Sequence, residues 1–457
     1  MRQACLVPLL LMAGACIPAE QPAPRAAAVT PPSRWLEQAP REGAIAPDWW
    51  RGFGDTALDG YEARALVNNT DLLTAIARVD EARGNLALAR AVLWPTADAG
   101  IGASRSRSLG DSGATTTTAI QPEATFSWQP DLFGRLRDQK QAARYQFDTS
   151  QADRDGVALS VASAVAQAYF TLLSLDTQLI VTRQTVQTRS ESLRLAEDQA
   201  RVGYTSQLEL TQAQSEYEAV LGQVPELERG IRNAENAISL LTGDPPSSTL
   251  PRGSLINIKT PDVPATLPSA LLRRRPDLAV SELRVAAADR ALAAQRAAFL
   301  PSVALSGSVG GLFVNGLSFD PVTIWSIGGS ILAPILEGGR LRANVDMATA
   351  QRDEAAFAYR GAALTAFRDV ENALTDMRRY GEQIVIVRRR RDVLLKSLAL
   401  ATSRYRGGYA SYLDQLDAQR NLYTTELDAI GIRQSQLDAI VHLFAAFGGG
   451  WDATPSR

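Results

Sequence analysis

Two carboxylates stand three residues apart near the C-terminal end of this chain, Asp414 and Asp417. Residues at that spacing lie on roughly one face of a helix, so both acids would point in a similar direction. In a three-fold assembly, each position would form a ring of carboxylates that attracts cations and repels anions. Such proximity would also raise the pKa values of both groups. The alternative is two solvated acids that favour the dipole at a helix N-terminus.

The acidic position has a counterpart earlier in the chain, because one sequence motif occurs twice. Residues 201–209 are RVGYTSQLE and residues 406–414 are RGGYASYLD, so that Tyr204 and Tyr409 are 205 residues apart. Residues 134–136 and 339–341 are both GRL, at the same offset. One offset shared by two distant motif pairs predicts a duplicated unit of nearly half the chain. Glu209 is then the equivalent of Asp414.

Each copy of this motif predicts a turn between two helices. Glycine allows the chain to reverse tightly, and a serine side chain can cap the helix that follows. A purely structural turn would explain the pattern equally well. The residues concerned are Gly203, Tyr204 and Ser206 in the first copy, and Gly408, Tyr409 and Ser411 in the second.

No catalytic set of nucleophile, base and acid can be assembled from this sequence, and no phosphate-binding glycine loop is present. His442 is the only histidine, and it falls near the end of a helical apolar stripe, so we expect a packed core residue and not a ligand or a base. The formal net charge of −2 gives no electrostatic footprint for nucleic acid. We therefore expect no enzyme, no metal site, no cofactor and no nucleic-acid partner.

The N-terminus has the features of an export signal. Residues 1–15 combine an early arginine with a short apolar run, which predicts a signal peptide. Residues 13–16 (AGAC) resemble a bacterial lipobox, in which Cys16 would be acylated and become the new N-terminus. An ordinary signal peptide with an incidental cysteine is the alternative. Residues 16–47 are rich in proline and alanine, which indicates an extended tether.

Beyond the signal we find no uninterrupted apolar stretch of membrane-helix length, so any spanning part is expected to be β. Segments with alternating apolar residues and many Gly, Ser and Thr have the length of tilted transmembrane strands. A soluble sheet of two hairpins is the alternative. These segments are residues 97–107, 117–128, 302–312 and 322–333.

The remainder of the chain is predicted to be helical. Between Gly134 and Gly243 only the Gly203-Tyr204 region interrupts the pattern, which predicts a helical hairpin with arms of roughly 65 and 40 residues, or ~100 and ~60 Å. The second arm carries an apolar stripe from Leu210 to Leu241, typical of a coiled coil. A similar stripe begins at Leu413 in the second unit and includes Arg420 and Gln434 as polar interruptions.

Four strands are too few to close a transmembrane barrel within one chain, because single-chain barrels begin at eight. An open sheet edge cannot face lipid, since its backbone groups would lack hydrogen-bond partners. Other subunits must therefore complete the sheet, with eight strands in a dimer or twelve in a trimer.

These residues resemble the TolC-like outer-membrane efflux proteins, in particular the NodT/OprM lipoprotein branch. The resemblance runs in the family's order from about residue 48 to 447. The matching segments are Trp49-Trp50, Phe53-Gly54-Asp55, residues 128–135 (WQPDLFGR), 274–278 (RRPDL), 298–302 (AFLPS), 367–374 (FRDVENAL) and 412–419 (YLDQLDAQ).

The resemblance implies an α+β membrane protein that forms a homotrimer, with a twelve-stranded outer-membrane barrel continued by a periplasmic tube of twelve helices. It implies docking to a periplasmic adaptor and an inner-membrane RND pump, and a lipid anchor in the outer membrane. The expected function is passive conduction of small toxic compounds through a gated duct. The domains would be the signal peptide, the tether, repeat 1 (48–246), repeat 2 (247–450) and a tail (451–457).

The resemblance also assigns residues to the periplasmic entrance. The helical hairpin tips would meet the adaptor, and Asp414 and Asp417 would form the charged rings. Glu209 matches an acidic latch position, and Tyr405 matches an aromatic residue that hydrogen-bonds across the closed entrance. Some members have an arginine where this chain has Ala410. We therefore expect a gate held by carboxylate and tyrosine contacts with fewer ion pairs.

Other readings of the sequence remain open. A type I protein-secretion conduit would share this architecture, and the lipobox weakly favours drug efflux over it. A structural coiled-coil envelope protein without a pore would show heptads, but not paired amphipathic hairpins at matching places in both repeats. An outer-membrane barrel enzyme is disfavoured by the missing catalytic set.

Overall fold

The computed structural model describes residues 22, 24–37, 43, 45–110, 113–246, 250–264, 267–315 and 320–451. Residues 1–15 and Cys16 lie outside the described residues, as does most of the tail. The chain divides into two compact units. The strand unit includes Ala77–Gln151 and Val280–Gly361, and the helical unit includes Thr30–Ile76, Ala152–Ala279 and residues from Ala362 onward.

The helices of the two repeats correspond closely. The first repeat contains α1 (Thr56–Asn68), α2 (Thr70–Ala91), α3 (Arg135–Arg201), α4 (Gln207–Leu221) and α5 (Gln223–Leu241). The second contains α6 (Pro268–Arg274), α7 (Pro276–Ala297), α8 (Arg340–Arg406) and α9 (Tyr412–Ala446). Helices α3 and α8 are both 67 residues long, and their ends are offset by the same 205 residues as the motifs. At 1.5 Å per residue each is ~100 Å long.

The strands form one antiparallel sheet in the order β1 (Thr96–Gly110), β2 (Gly113–Trp128), β3 (Ser302–Val314) and β4 (Val322–Leu332). Their register places most of the large apolar residues on one face of the sheet, which also carries Arg105 and Arg107 near the end of β1. This apolar face includes Ala97, Ile101, Phe126, Trp128, Leu305, Val309, Trp325 and Ile327. The opposite, polar face carries Asp98, Gln121, Glu123, Thr125, Ser306 and Ser308. The predicted strands are thus present, with ends that differ by a few residues.

The duplication is also visible in the packing of the strand unit. In the first repeat Leu86 packs with Val79 and Phe147. In the second repeat Leu292, on the corresponding helix α7, packs with Val345 and Ala348. Each cluster therefore buries the same kind of contact between a shorter helix and the start of a long one.

An aromatic core holds the helical unit together. Phe53 is fully buried against Phe170, with ring centroids 4.9 Å apart, and Trp49 stacks on Phe444 at 5.1 Å. Asp55 caps α1 by accepting from the amide of Ala57 at 2.8 Å, and it also accepts from the Tyr169 hydroxyl at 3.0 Å. The Trp49–Asp55 segment therefore has a structural role, since it anchors the start of the first repeat.

The prediction of a single break between Gly134 and Gly243 is wrong. The second arm is interrupted at Gly222, where α4 ends and α5 begins. Pro225 lies in the first turn of α5 and has no N–H with which to continue the helical hydrogen bonds. The second repeat has Ile430 at the equivalent position, and α9 is continuous there.

The predicted apolar stripe on the second arm of the first repeat is buried or half-buried along its length, from Leu210 to Leu241. The start of the second stripe is predicted less well, because Leu413 is 48% exposed and Tyr412 and Leu416 are buried instead. Helix α9 buries residues on several sides, as a helix does that packs between neighbours.

One helix in the described part of the chain, α3, is long and apolar enough to cross a membrane by length and composition alone. This differs from the prediction that no such stretch exists beyond the signal. Half of the apolar window is buried inside the chain. Tyr169, Phe170 and Leu172 are fully buried, so packing in the core accounts for this apolar character.

Part of the predicted tether is attached to the folded body. Trp35 is buried between Phe367 and Phe447, at 6.3 Å from each ring. The amide of Leu36 donates to Glu371 at 2.8 Å, and Glu37 pairs with Arg378 at 2.7 Å. In the helical unit, therefore, this segment packs against helix α8.

Candidate functional site at the helical hairpin tips

Both hairpin tips have the same backbone geometry. Helix α3 is followed by Gly203 at φ 77°, and the amide of Tyr204 donates to the carbonyl of Gln199 at 2.9 Å. Helix α8 is followed by Gly408 at φ 75°, and the amide of Tyr409 makes the equivalent bond at 2.8 Å. These bonds satisfy helix-end carbonyls in the Schellman arrangement, which favours glycine in the left-handed position.

The tips present apolar and aromatic surface to solvent. The side chains of Tyr204 and Tyr409 are 87% and 80% exposed. Val202, Leu208 and Leu413 are also exposed beside them. Each tip therefore offers a tyrosine with aliphatic neighbours, which is a surface suited to contact with another protein.

The helix caps after the tips differ between the copies. Ser411 accepts from the amide of Asp414 at 3.3 Å, and the Asp414 carboxylate accepts from the Ser411 amide at 3.0 Å, which completes a capping box. Ser206 accepts from the amide of Glu209 at 3.2 Å. The Glu209 carboxylate accepts instead from the hydroxyl of Thr205. Two equivalent acids thus have different partners.

Hydrogen bonds from the hydroxyl and then the amide of Ser411 lower the pKa of Asp414. Within one chain, donors from its own cap thus stabilise the charged carboxylate. The raised pKa predicted for a ring of carboxylates concerns a three-fold assembly and stays a prediction. The sequence contained this signal, since Ser411 and Asp414 have the spacing of a capping box. Asp414 is a carboxylate near neutral pH.

Asp417 lies one turn further along α9 and faces a cation. Its carboxylate is 3.8 Å from Arg420, and both side chains are at least half exposed. Arg420 also pairs with Glu216 on α4. That hydrogen bond is the main reason why the pKa of Glu216 is lowered. Asp417 therefore shares its counter-charge with Glu216, and Asp414 does not.

A buried arginine extends this network into the helix bundle. Arg189 on α3 is fully buried and donates to the side-chain oxygen of Gln419 on α9. Its guanidinium also lies 3.8 Å from Glu216. Arg189 and Glu216 were not predicted from the sequence. The signal for this network in the sequence was Arg420, a polar interruption of an apolar stripe.

Tyr405 is half-buried at the tip. Its hydroxyl donates to Gln199 at 3.3 Å, and its ring is 5.9 Å from that of Tyr412. Burial, and then the nearby charge of Glu209, raise the pKa of Tyr405. Tyr405 and Glu209 are thus close enough for their charges to interact. Within one chain its hydrogen bond goes to Gln199.

His442 is not the packed core residue that the sequence predicted. Its side chain is exposed, and it lines a cavity of about 650 Å³ in the helical unit together with Asp369, Asn372 and Asp376. The apolar stripe of α9 passes beside it through Val441 and Leu443, so that His442 falls on the adjacent, polar side of the helix.

The family model of outer membrane efflux proteins matches residues 63–244 and 267–449 of this chain. The chain belongs to this family. The two matched segments correspond to the two repeats seen in the helices. Because the family is one of efflux proteins and not of enzymes, it confirms the prediction that this chain is no enzyme.

Individual relatives agree with the family. The chain is 32% identical over 465 residues to the pyoverdine export outer membrane protein OpmQ of Pseudomonas aeruginosa, covering 99% of this chain and 98% of the relative. It is 32% identical to the toluene efflux pump outer membrane protein TtgF of Pseudomonas putida, covering 90% and 87%. The outer membrane channel MtrE of Neisseria gonorrhoeae, solved in its open state, superposes with a TM-score of 0.83 at 28% identity, covering 96% and 99%.

These similarities confirm the resemblance and the fold class that the sequence predicted. The outer membrane efflux protein has the α+β fold of outer-membrane channels, built from two repeats with two strands each. Its place is the outer membrane.

Proposed function

We propose that this efflux protein assembles as a homotrimer into a gated duct. Small toxic compounds would pass through it passively, from a periplasmic adaptor and an inner-membrane RND pump to the exterior. The observation that carries this proposal is the four-stranded sheet, which has one apolar face, one polar face and, in the described chain, β1 and β4 as edges.

The sheet supports a trimer for a physical reason. An apolar face suits lipid and a polar face suits a water-filled lumen. The edges cannot remain unpaired in lipid, so β1 of one copy would pair with β4 of the next. Three copies supply twelve strands, and the six helical hairpins would continue as a periplasmic tube.

The entrance of the tube would be set by the hairpin tips. In a trimer Asp414 and Asp417 each occur three times around the axis, and both are exposed in one chain. Their carboxylates would attract cations and hinder anions at the closed entrance. Glu209 and Tyr405 would hold neighbouring helices there. The exposed tips, with Tyr204 and Tyr409, would contact the adaptor.

Two further parts of the proposal concern the anchor and the cargo. Cys16 would carry the lipid that tethers the chain to the outer membrane. The names of the relatives mention pyoverdine and toluene, both small organic compounds. Substrates of that class are compatible with a passive duct, whose selectivity would lie largely in the pump.

Ion selectivity in planar bilayers tests the gate. We expect the double variant Asp414→Ala/Asp417→Ala to lose cation selectivity and divalent-cation block, while wild type keeps both. Asp428→Ala is the control, because this exposed acid lies further along α9. Unchanged selectivity in the double variant would remove the carboxylate rings from the proposal.

Oligomeric state tests the assembly separately. The detergent-solubilised protein should have the mass of three chains and should dissociate on heating. A monomer with full efflux activity in a deletion strain would contradict the trimer.

A further inference from the structure

A cavity of about 680 Å³ lies in the strand unit where β1 begins and β2 ends. It is lined by Arg90, Leu93, Trp94, Pro95, Trp128 and Lys140. The indole N–H of Trp128 donates to the carbonyl of Leu93 at 3.1 Å, which fixes one wall. The side chain of Trp94 is 73% exposed and forms the other aromatic wall.

The cavity lies at the end of the apolar face of the sheet. Along β2 the apolar face is formed by alternate residues, Ile120, Pro122, Ala124, Phe126 and finally Trp128. In an outer-membrane protein this face contacts the hydrocarbon core, and tryptophans at strand ends mark the level of the lipid headgroups. With the apolar face in lipid, as the proposed function has it, the cavity would lie at the depth of the headgroups.

Two cations in the cavity lack acidic partners. Some other cations of this unit are paired, such as Arg137 with Asp131 at 3.1 Å and Arg290 with Asp138 at 3.3 Å. Within the described ranges no salt bridge or hydrogen bond is found for the side chains of Arg90 and Lys140. Unpaired positive charge beside two indoles suits a phosphate attached to an apolar group.

The second repeat shows that the fold does not need this cavity. The residue equivalent to Lys140 is Val345, which is buried against Leu292 and Ala348. When Pro95 is aligned with Pro301, Trp94 corresponds to Leu300 and Arg90 to Arg296. At the 205-residue offset, Trp128 corresponds to Ala333. The second repeat thus fills the position of Lys140 with a buried valine, and Phe299 packs against the same cluster. The first repeat has a cationic, aromatic cavity there.

We propose that this cavity binds the headgroup of an anionic phospholipid. The phosphate would lie between Arg90 and Lys140, and the glycerol and upper acyl carbons would lie against Trp94 and Trp128. The proposal rests on the outer-membrane location of the sheet, and it is independent of the gate and of the exported compound.

Lipid retention by the full-length oligomer tests the site. Native mass spectrometry would compare binding of phosphatidylglycerol and phosphatidylcholine from mixed micelles. We expect wild type to favour phosphatidylglycerol, and Arg90→Gln/Lys140→Gln to bind it about tenfold more weakly. Lys140→Arg should retain binding because it keeps the charge. Lys396→Gln, at an exposed lysine on α8, is the matched control and should behave like wild type.

Fluorescence gives a second, local measurement. Phosphatidylglycerol brominated near the glycerol should quench part of the tryptophan emission, and Trp94→Phe should reduce that quenching. Equal lipid retention by wild type and the double variant would overturn the proposal. Displacement of the lipid by millimolar inorganic phosphate would indicate a free-anion site instead. If the double variant loses the oligomer but keeps its bound lipid, Arg90 and Lys140 contact a second copy of the chain and not the lipid, which would also overturn the proposal.

Discussion

Ser411 and Asp414 hold each other at the start of α9, with the Ser411 amide donating to the Asp414 carboxylate at 3.0 Å and the Asp414 amide donating back to the Ser411 hydroxyl oxygen at 3.3 Å. The equivalent pair in the first repeat is not reciprocal, since the Glu209 carboxylate accepts from Thr205. Three copies of the chain would therefore place two kinds of acid around the entrance. The entrance would then have three-fold symmetry in its side chains, although the six repeats have nearly six-fold symmetry in their backbone.

The capping box makes the charge of Asp414 resistant to acid. Because donors from Ser411 lower its pKa, Ser411→Ala should move this pKa back towards its ordinary value. The pH at which cation selectivity is half lost should then rise. Reversal potentials measured across a pH series in planar bilayers would show this. Ser206→Ala, at the equivalent cap, should leave that midpoint in place, and an unshifted midpoint in Ser411→Ala would contradict the assignment.

The tip glycines should be costly to replace. Gly203 and Gly408 have positive φ, and an alanine in that conformation costs roughly 1–2 kcal/mol. We expect either alanine variant to unfold at a lower temperature in detergent, as followed by circular dichroism at 222 nm. Gly361→Ala is the control, since a Cβ there meets open space within α8. Alanine in mid-helix should stabilise by about 0.5–1 kcal/mol.

Removal of the buried arginine should loosen the contact between α3, α4 and α9. Arg189→Met would remove the hydrogen bond to the side-chain oxygen of Gln419. It would also remove one of the cations that lie near the Glu216 carboxylate. An unsatisfied buried polar group costs about 1–3 kcal/mol. Chemical denaturation of the solubilised oligomer should show a loss of this size. The exposed Arg194 on the same helix provides Arg194→Met as a control, which should stay close to wild type.

A buried carboxyl group in the helical unit should make stability depend on pH. Glu62 is fully buried, and burial together with the nearby Asp59 raises its pKa to about 9. In the unfolded chain the pKa of Glu62 is ~4.3. At a pH between the unfolded and the folded pKa, the folded chain binds more protons than the unfolded chain, so the free energy of unfolding falls as pH rises. The slope is up to about 1.4 kcal/mol per pH unit.

Glu62→Gln should remove that slope between pH 5 and 9. Thermal unfolding in a buffer series would measure the slope for both proteins. The exposed Glu191 lies in the same unit, and Glu191→Gln should keep the wild-type slope. Parallel pH profiles for wild type and Glu62→Gln would show that Glu62 is charged in the folded protein.

Local chemistry determined much of this protein. The duplication, the alternating strands and the glycine turns at Gly203 and Gly408 could all be found in the sequence, because strand period, helix period and positive φ depend on neighbouring residues. The Ser411–Asp414 cap is equally local. Both residues could be named from the sequence, and their spacing is that of a capping box.

Tertiary structure decided the features that join distant parts of the chain. Arg189 meets Gln419 across 230 residues of sequence, Trp35 is buried against Phe367, and a glutamate as ordinary in sequence as Glu62 loses all contact with solvent. The cavity beside Trp128 exists because Lys140 stands where the second repeat has a buried valine. Burial and pairing are set by what packs opposite a residue, and no spacing within one segment specifies that partner.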